Sequence, residues 1–239
     1  MLWYKAWLET RARFLTCLTV LTVFCAFFIH HAQGFLHPGH PGSKTDFNRL
    51  LYIAQVYVVF VWILSVVLLG MGGLIREKST GTSLLTLSLP VSRAHLLWAR
   101  IAVGVLEAVS LAVVPWATIF LVSSAGGMPV QLRQVGFYVL LLVGGGLVYF
   151  AMAVLVSSLV EGEYTAPAVA FGLVFLSAIL FDAWLRRFNL WRLVTGDFYL
   201  DRSTYLLAGR FPWTGIIASL CVAAAMLFAS IKALEKREF

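Results

Sequence analysis

Charge is scarce in this chain: Asp, Glu, Lys and Arg make up 12% of its 239 residues, while 61% are hydrophobic. Soluble domains run about 25% and about 45 to 50%. A water-soluble fold of this size has no interior large enough for that much apolar surface. Cysteine is nearly absent as well, and Cys17, Cys25 and Cys221 all fall inside apolar runs. With no pair in an aqueous loop, a disulfide framework has no support. Strand-like alternation of apolar and polar residues is missing, which argues against a membrane barrel. Also missing is the phosphate-gripping loop G-x-x-x-x-G-K-[ST]. Gly144, Gly145 and Gly146 lie in an apolar run without a Lys, and Gly42-Ser43-Lys44-Thr45 lacks the Gly that would complete the motif. The chain is therefore not expected to bind ATP itself. No small-residue cleavage site follows the first apolar run, which reads as a retained anchor.

What is present is a set of long apolar blocks, each near the ~20 residues a helix needs to cross about 30 Å of hydrocarbon. They run from Phe14 to His31, Leu50 to Leu74, Ala94 to Ser123, Val135 to Leu159, Thr165 to Trp184 and Trp213 to Ile231. Trp98, Trp184 and Trp213 stand at or near block ends, where an indole ring meets headgroups. The expectation is an all-α membrane protein, one transmembrane domain over residues 1–239 with six spans. No internal repeat and no paired Gly/Pro-broken spans are visible, which argues against an inverted-repeat carrier.

An even span count puts both termini on one side. Ten Lys and Arg residues fall on the side of the termini and eight on the other, five of the eight in the long Leu185 to Phe211 connection. Basic residues favour the cytoplasm, so cytoplasmic termini are expected. The net charge of +7 suits anionic lipid headgroups and is not read as nucleic-acid binding.

Four connecting segments carry information. Met1 to Arg13 interleaves Trp3, Trp7 and Leu8 with Lys5, Glu9, Arg11 and Arg13, the pattern of a short interfacial helix before the chain turns into the bilayer. From Leu74 to Arg100 the chain reads LIREKSTGTSLLTLSLPVSRAHLLWAR. Here a span ends in charge, Gly81 permits a turn, Pro90 breaks the chain and Ser92 caps the next helix. That predicts a short helix parallel to the membrane between two long spans, suited to receiving a push from a soluble partner. The fourth and fifth spans are joined by SSLVEGEYTAP, with Glu161, Gly162 and Glu163 on the same side. The Leu185 to Phe211 connection mixes aromatics with Arg, as a membrane-skimming or re-entrant segment does, and either forms an outer gate or has no gating role.

Three constellations have both a functional and a plain reading. Glu107 lies about 16 Å into the third span at ~1.5 Å per residue, where a charged side chain costs at least ~2.5 kcal/mol unless it faces protein or water. It either lines a pathway or titrates, or it makes a helix contact while protonated or paired. His30, His31, His37 and His40 crowd the far end of the first span. Imidazoles suit Zn or Cu, but the spacing matches no ligand pattern, and no metal is assigned. Gly144 to Gly146, with Gly136 and Ala151, either let another helix approach closely or reflect how frequent Gly is in membrane helices.

At IREKSTGTSLLTLSLPVSRAHLLWAR the sequence resembles the permease subunits of type-2 (ABC-2) exporters. The matching positions are Glu77, Gly81, Thr82, Leu89, Pro90, Ser92 and Arg93, flanked by Arg76 and Lys78. The six spans, the aromatic and basic N-terminal segment and the tail KALEKREF agree with that family. The resemblance implies a transport subunit, not an enzyme, of a bacterial inner-membrane exporter. Two copies, or this chain and a similar permease, would line the pathway in the lipid membrane. Two ABC ATPase subunits would bind ATP and Mg. Arg76 to Arg93 would then hold the cytoplasmic coupling helix, with Glu161 to Glu163 a second contact. The rivals are a membrane enzyme acting on lipids, which needs clustered catalytic groups, and an ion-driven carrier or channel, which needs a denser set of intramembrane polar groups.

Overall fold

The computed structural model describes residues 2–35, 43–71, 93–160, 165–183, 189–207 and 211–235. They form α1 (Leu2–Phe35), α2 (Ser43–Gly70), α3 (Arg93–Ala125), α4 (Leu132–Leu159), α5 (Thr165–Ala183), α6 (Leu190–Thr195) and α7 (Trp213–Glu235). A 3-10 turn at Asp197–Tyr199 and a two-stranded antiparallel hairpin, β1 (Leu200–Asp201) and β2 (Leu206–Leu207), stand between α6 and α7. Five helices, α1 to α4 and α7, are long and apolar enough to cross a membrane.

The all-helical expectation holds for these residues apart from the hairpin, with two differences. The N-terminal segment is not a separate interfacial helix: Leu2–Phe35 is one continuous helix of 34 residues. Met1 to Gln33 contains neither Pro nor Gly, so nothing interrupts the backbone ladder where apolar sequence begins. Helix ends also overrun the apolar blocks. α2 starts at Ser43, before Leu50, and α7 continues to Glu235, past Ile231. Backbone hydrogen bonds extend a helix beyond the hydrocarbon as long as propensity allows. The segment between α2 and α3, where the lever helix is expected, lies outside the described residues.

The bundle is built around α4. Its three consecutive glycines are all buried, and each admits a different neighbour. A Cβ on Gly144 would meet Ile216 of α7 at 2.6 Å, one on Gly145 would meet Val194 of α6 at 2.8 Å, and one on Gly146 would meet the Trp62 ring of α2 at 2.3 Å. Successive helical residues point about 100° apart, so three small residues in a row open three faces at once. The close packing expected of this run is present, and its partners belong to the same chain. Gly136 has nothing within 4 Å of its added Cβ. Gly70 and Gly104 were not singled out by sequence, yet both face α4: Gly70 abuts Ala153 and Gly104 abuts the Phe150 ring.

Polar side chains buried in this core are tied to one another. Trp116 Nε1 donates to Gln55 Oε1 at 3.1 Å, and Gln55 Nε2 donates to the Val194 carbonyl at 3.1 Å. Trp62 Nε1 donates to the Ala108 carbonyl. Ser219 Oγ reaches the Gly145 carbonyl. Each link joins two elements and satisfies groups that would be costly to leave unpaired away from water.

Candidate functional site

The expected coupling positions fall mostly beyond what is described. Arg76, Glu77, Lys78, Gly81, Thr82, Leu89, Pro90 and Ser92 lie outside the described residues, as do Glu161, Gly162 and Glu163; Arg93 is the first residue of α3. What the structure does give is the anchorage of the segment's two roots, the end of α2 and the start of α3.

Both roots are fastened to the N-terminal third of α1. Arg13 Nη1 donates to the Met71 carbonyl at 2.6 Å and to the Leu68 carbonyl at 3.3 Å. Leu68 stands in the last turn of α2 and Met71 directly follows it, where a cation meets the negative end of the helix dipole. On the other root, Arg100 of α3 pairs with Glu9 of α1, its Nε at 3.0 Å from Oε2, with Lys5 at 3.8 Å on the far side of the same carboxylate. Two turns further along α3, Glu107 Oε1 accepts from Thr10 Oγ1 at 2.5 Å. The N-terminal segment is a brace across α2 and α3.

Glu107 is 3% exposed, and its Oε2 has no hydrogen-bond partner among the described residues. Glu107 stands level with Thr10, four residues before α1 turns apolar at Phe14. Glu107 lies in the α1–α3 interface, apart from the 490 Å³ and 850 Å³ cavities, whose linings do not include it.

A groove of about 850 Å³ runs between α2, α5 and α6. Its long walls are apolar, including Phe60, Ile63, Val174 and Ile179. One end is polar: Tyr52 Oη donates to Asp197 Oδ1 at 3.2 Å, and Arg192 Nε lies 4.0 Å from Asp197 Oδ2. Here the connection before α7 packs into the bundle. Val194 is fully buried, and Gln55 grips its carbonyl. Asn189 caps α6, accepting from the Arg192 amide, and Gly196 ends it in the left-handed conformation (φ 80°), where glycine carries no Cβ penalty. Nothing in the mixed Arg and aromatic composition indicated the hairpin that follows. Its signal is the tetrad Asp201-Arg-Ser-Thr, in which Asp201 accepts from the Ser203 amide and hydroxyl and from Thr204 Oγ1.

His30 and His31 are exposed near the end of α1, with His31 against Phe27 at 4.0 Å between ring centroids. His37 and His40 lie outside the described residues. Among the described residues no three His, Cys, Asp or Glu side chains gather as metal ligands do.

Comparison with known proteins adds one positive finding. Residues 13–189 match the family model described as ABC-2 family transporter protein. No curated protein gives a significant match. The matched stretch takes in α1 from Arg13 through α5, and so holds the braced roots and the α2–α5 walls of the groove. With well over half of its length matched, this multi-pass, transport-type chain belongs to the ABC-2 family of transporter proteins.

Proposed function

We propose that this chain is the membrane-spanning permease of an ATP-driven exporter in a bacterial inner membrane. It works as a homodimer, or paired with a similar permease, on two separate ATPase subunits that bind ATP and Mg. Both termini and the α2–α3 segment face the cytoplasm. α5 makes a sixth span, since its 19 residues give ~28 Å at 1.5 Å per residue. The segment from Arg76 to Arg93 seats on the ATPase through Arg76, Glu77, Lys78, Gly81, Thr82, Leu89, Pro90, Ser92 and Arg93. Glu161, Gly162 and Glu163 make a smaller contact.

The observation that carries this reading is the brace. Because Arg13 holds the end of α2 while Glu9 and Thr10 hold α3, a displacement of the intervening segment is delivered to three long helices as one body. Coupling needs such an element with defined attachments at both ends. The groove between α2, α5 and α6 is then this subunit's share of the pathway, and the pinned α6 its outer closure. Glu107, buried behind the brace, acts on transport through α1 and α3.

The experiment is co-expression with the partner ATPase and measurement of ATP turnover by the purified assembly in nanodiscs. Glu77→Ala and Gly81→Leu are expected to reduce permease-dependent turnover several-fold with the assembly intact. Unchanged turnover in both, or transport by a particle of this chain alone, would count decisively against the reading.

A further inference from the structure

A second cavity, of about 490 Å³, shares no lining residue with the groove. It lies where α2 begins, the turn from Gly127 to Gln131 crosses between α3 and α4, and the hairpin packs over both. Its volume falls within the range of small-molecule sites, about 300 to 1,000 Å³.

Three parts of its lining point to one kind of ligand. Deepest is Tyr138, 2% exposed, with its ring stacked on Trp116 at 4.6 Å between centroids. Its hydroxyl has no hydrogen-bond partner among the described residues and borders the cavity. A buried phenol hydroxyl ordinarily has a partner. Gln134, one helical turn earlier, is not available in its place, because its amide is engaged with the Leu207 backbone in both directions. The middle of the cavity is apolar, with Phe47, Leu51 and Val130 as walls. At the mouth stands Lys44, exposed and without an ion-pair partner among the described residues. Asp46, the acid nearest to it in sequence, is not part of the lining. Arg49 is not part of the lining either, but its guanidinium stands 5.9 Å from the centroid of the lining Tyr205 ring.

We propose that this cavity binds a small anionic amphiphile, with its acid group at Lys44, its apolar body between Phe47, Leu51 and Val130, and a hydrogen-bonding group at Tyr138. The site stands on its own lining and does not depend on the transport reading. The ligand chemistry has two sources, an anionic lipid of the bilayer or a soluble amphiphilic acid.

The probe is 4-benzoylbenzoate, which carries a carboxylate, two apolar rings and a photoreactive ketone that accepts from a hydroxyl. Full-length protein in phosphatidylcholine nanodiscs is illuminated over a concentration series, and the label is mapped by peptide mass spectrometry. Saturable labelling on peptides containing Leu51, Val130 or Leu206 is expected. Lys44→Gln should raise the half-saturating concentration roughly tenfold, as loss of a charge-assisted contact does. Tyr138→Phe, which keeps the ring stack, should raise it about two- to tenfold on the same grounds. Met128→Trp, which fills the cavity, should abolish labelling, and unchanged melting temperatures establish that the three variants are folded. Competition by added phosphatidylglycerol assigns the ligand to the bilayer, and absence of competition assigns it to a soluble acid; both uphold the site. Labelling that does not saturate, spreads along lipid-facing α1 and α7, or is equal in all three variants overturns it.

Discussion

At the scale of single residues, the core is decided by where a side chain is absent. An Ala at Gly146 places a Cβ 2.3 Å from the Trp62 ring, and the overpacking should destabilise the protein by about 1 to 3 kcal/mol. Gly136→Ala, on the same helix with open space around it, should be neutral or slightly stabilising. Paired melting curves in detergent check both, and equal shifts would mean that α4 is not seated as described. Thr10→Val removes the one hydrogen-bond partner of the Glu107 carboxyl among the described residues. The expected cost is about 1 to 3 kcal/mol, read as a lower melting temperature, with Glu107→Gln milder because an amide still meets the hydroxyl. The glycine run was legible in sequence because three in a row is conspicuous. Gly70 and Gly104 were not, since isolated glycines are common in membrane helices and only their neighbours on α4, Ala153 for Gly70 and the Phe150 ring for Gly104, give them meaning. Glu107 was conspicuous too, but its partner Thr10 stands on another helix, which no count along α3 provides.

At the scale of elements, α1 binds α2 and α3 through charge. Exchanging Glu9 for Arg, or Arg100 for Glu, should weaken the attachment of α1 to α3, and the double exchange should restore it. Limited proteolysis of the N-terminal third reads the difference, and a double variant as labile as the singles would refute the pairing. The effect on overall stability is expected to be at most about 1 kcal/mol, because both partners are partly exposed. The hairpin makes a separate prediction. Asp201 is held below its ordinary 3.8 by hydrogen bonds from the Ser203 amide and hydroxyl and from Thr204. A carboxyl depressed in the folded state contributes order above its unfolded pKa and loses it as pH falls through the folded value. Amide protection at Ser203 and Thr204 should therefore persist through pH 5 and fade only below about pH 4, and Asp201→Asn should reduce it at every pH. Apolar blocks gave away five long helices, since block length is a direct response to bilayer thickness. The continuity of α1 was hidden by a change from charged to apolar sequence, which marks a change of solvent and not a break in the backbone. The hairpin was hidden for another reason: two-residue strands are too short for a periodic signal, and the Asp201 turn is recognisable only by its bonds.

At the scale of the whole molecule, two expectations bear on orientation and assembly. With Cys17, Cys25 and Cys221 replaced, Ser203→Cys at the exposed hairpin turn should react with a membrane-impermeant maleimide in intact cells. Lys5→Cys should react only after permeabilisation, and the reverse pattern would invert the proposed topology. Native mass spectrometry of the co-expressed assembly should give two permease and two ATPase chains. Family membership was legible from some twenty residues around the α2–α3 segment, most of which lie outside the described residues, and the match over residues 13–189 includes that stretch. The α2–α5 groove and the Tyr138 cavity were not legible. Each is enclosed by residues far apart in the chain, such as Tyr52 with Ile179 and Lys44 with Tyr205.

The three adjacent contacts of α4 also restrict how the molecule works. A rod keyed on three sides, to Trp62, Val194 and Ile216, cannot roll or slide without driving one of them into its backbone. On the proposed exporter reading, α4 would serve as the stator, and the stroke would come from parts that turn around it. α5 is the least constrained of these: its Val169, Leu173 and Leu176 are exposed, and among the described residues no glycine locks it to a neighbour.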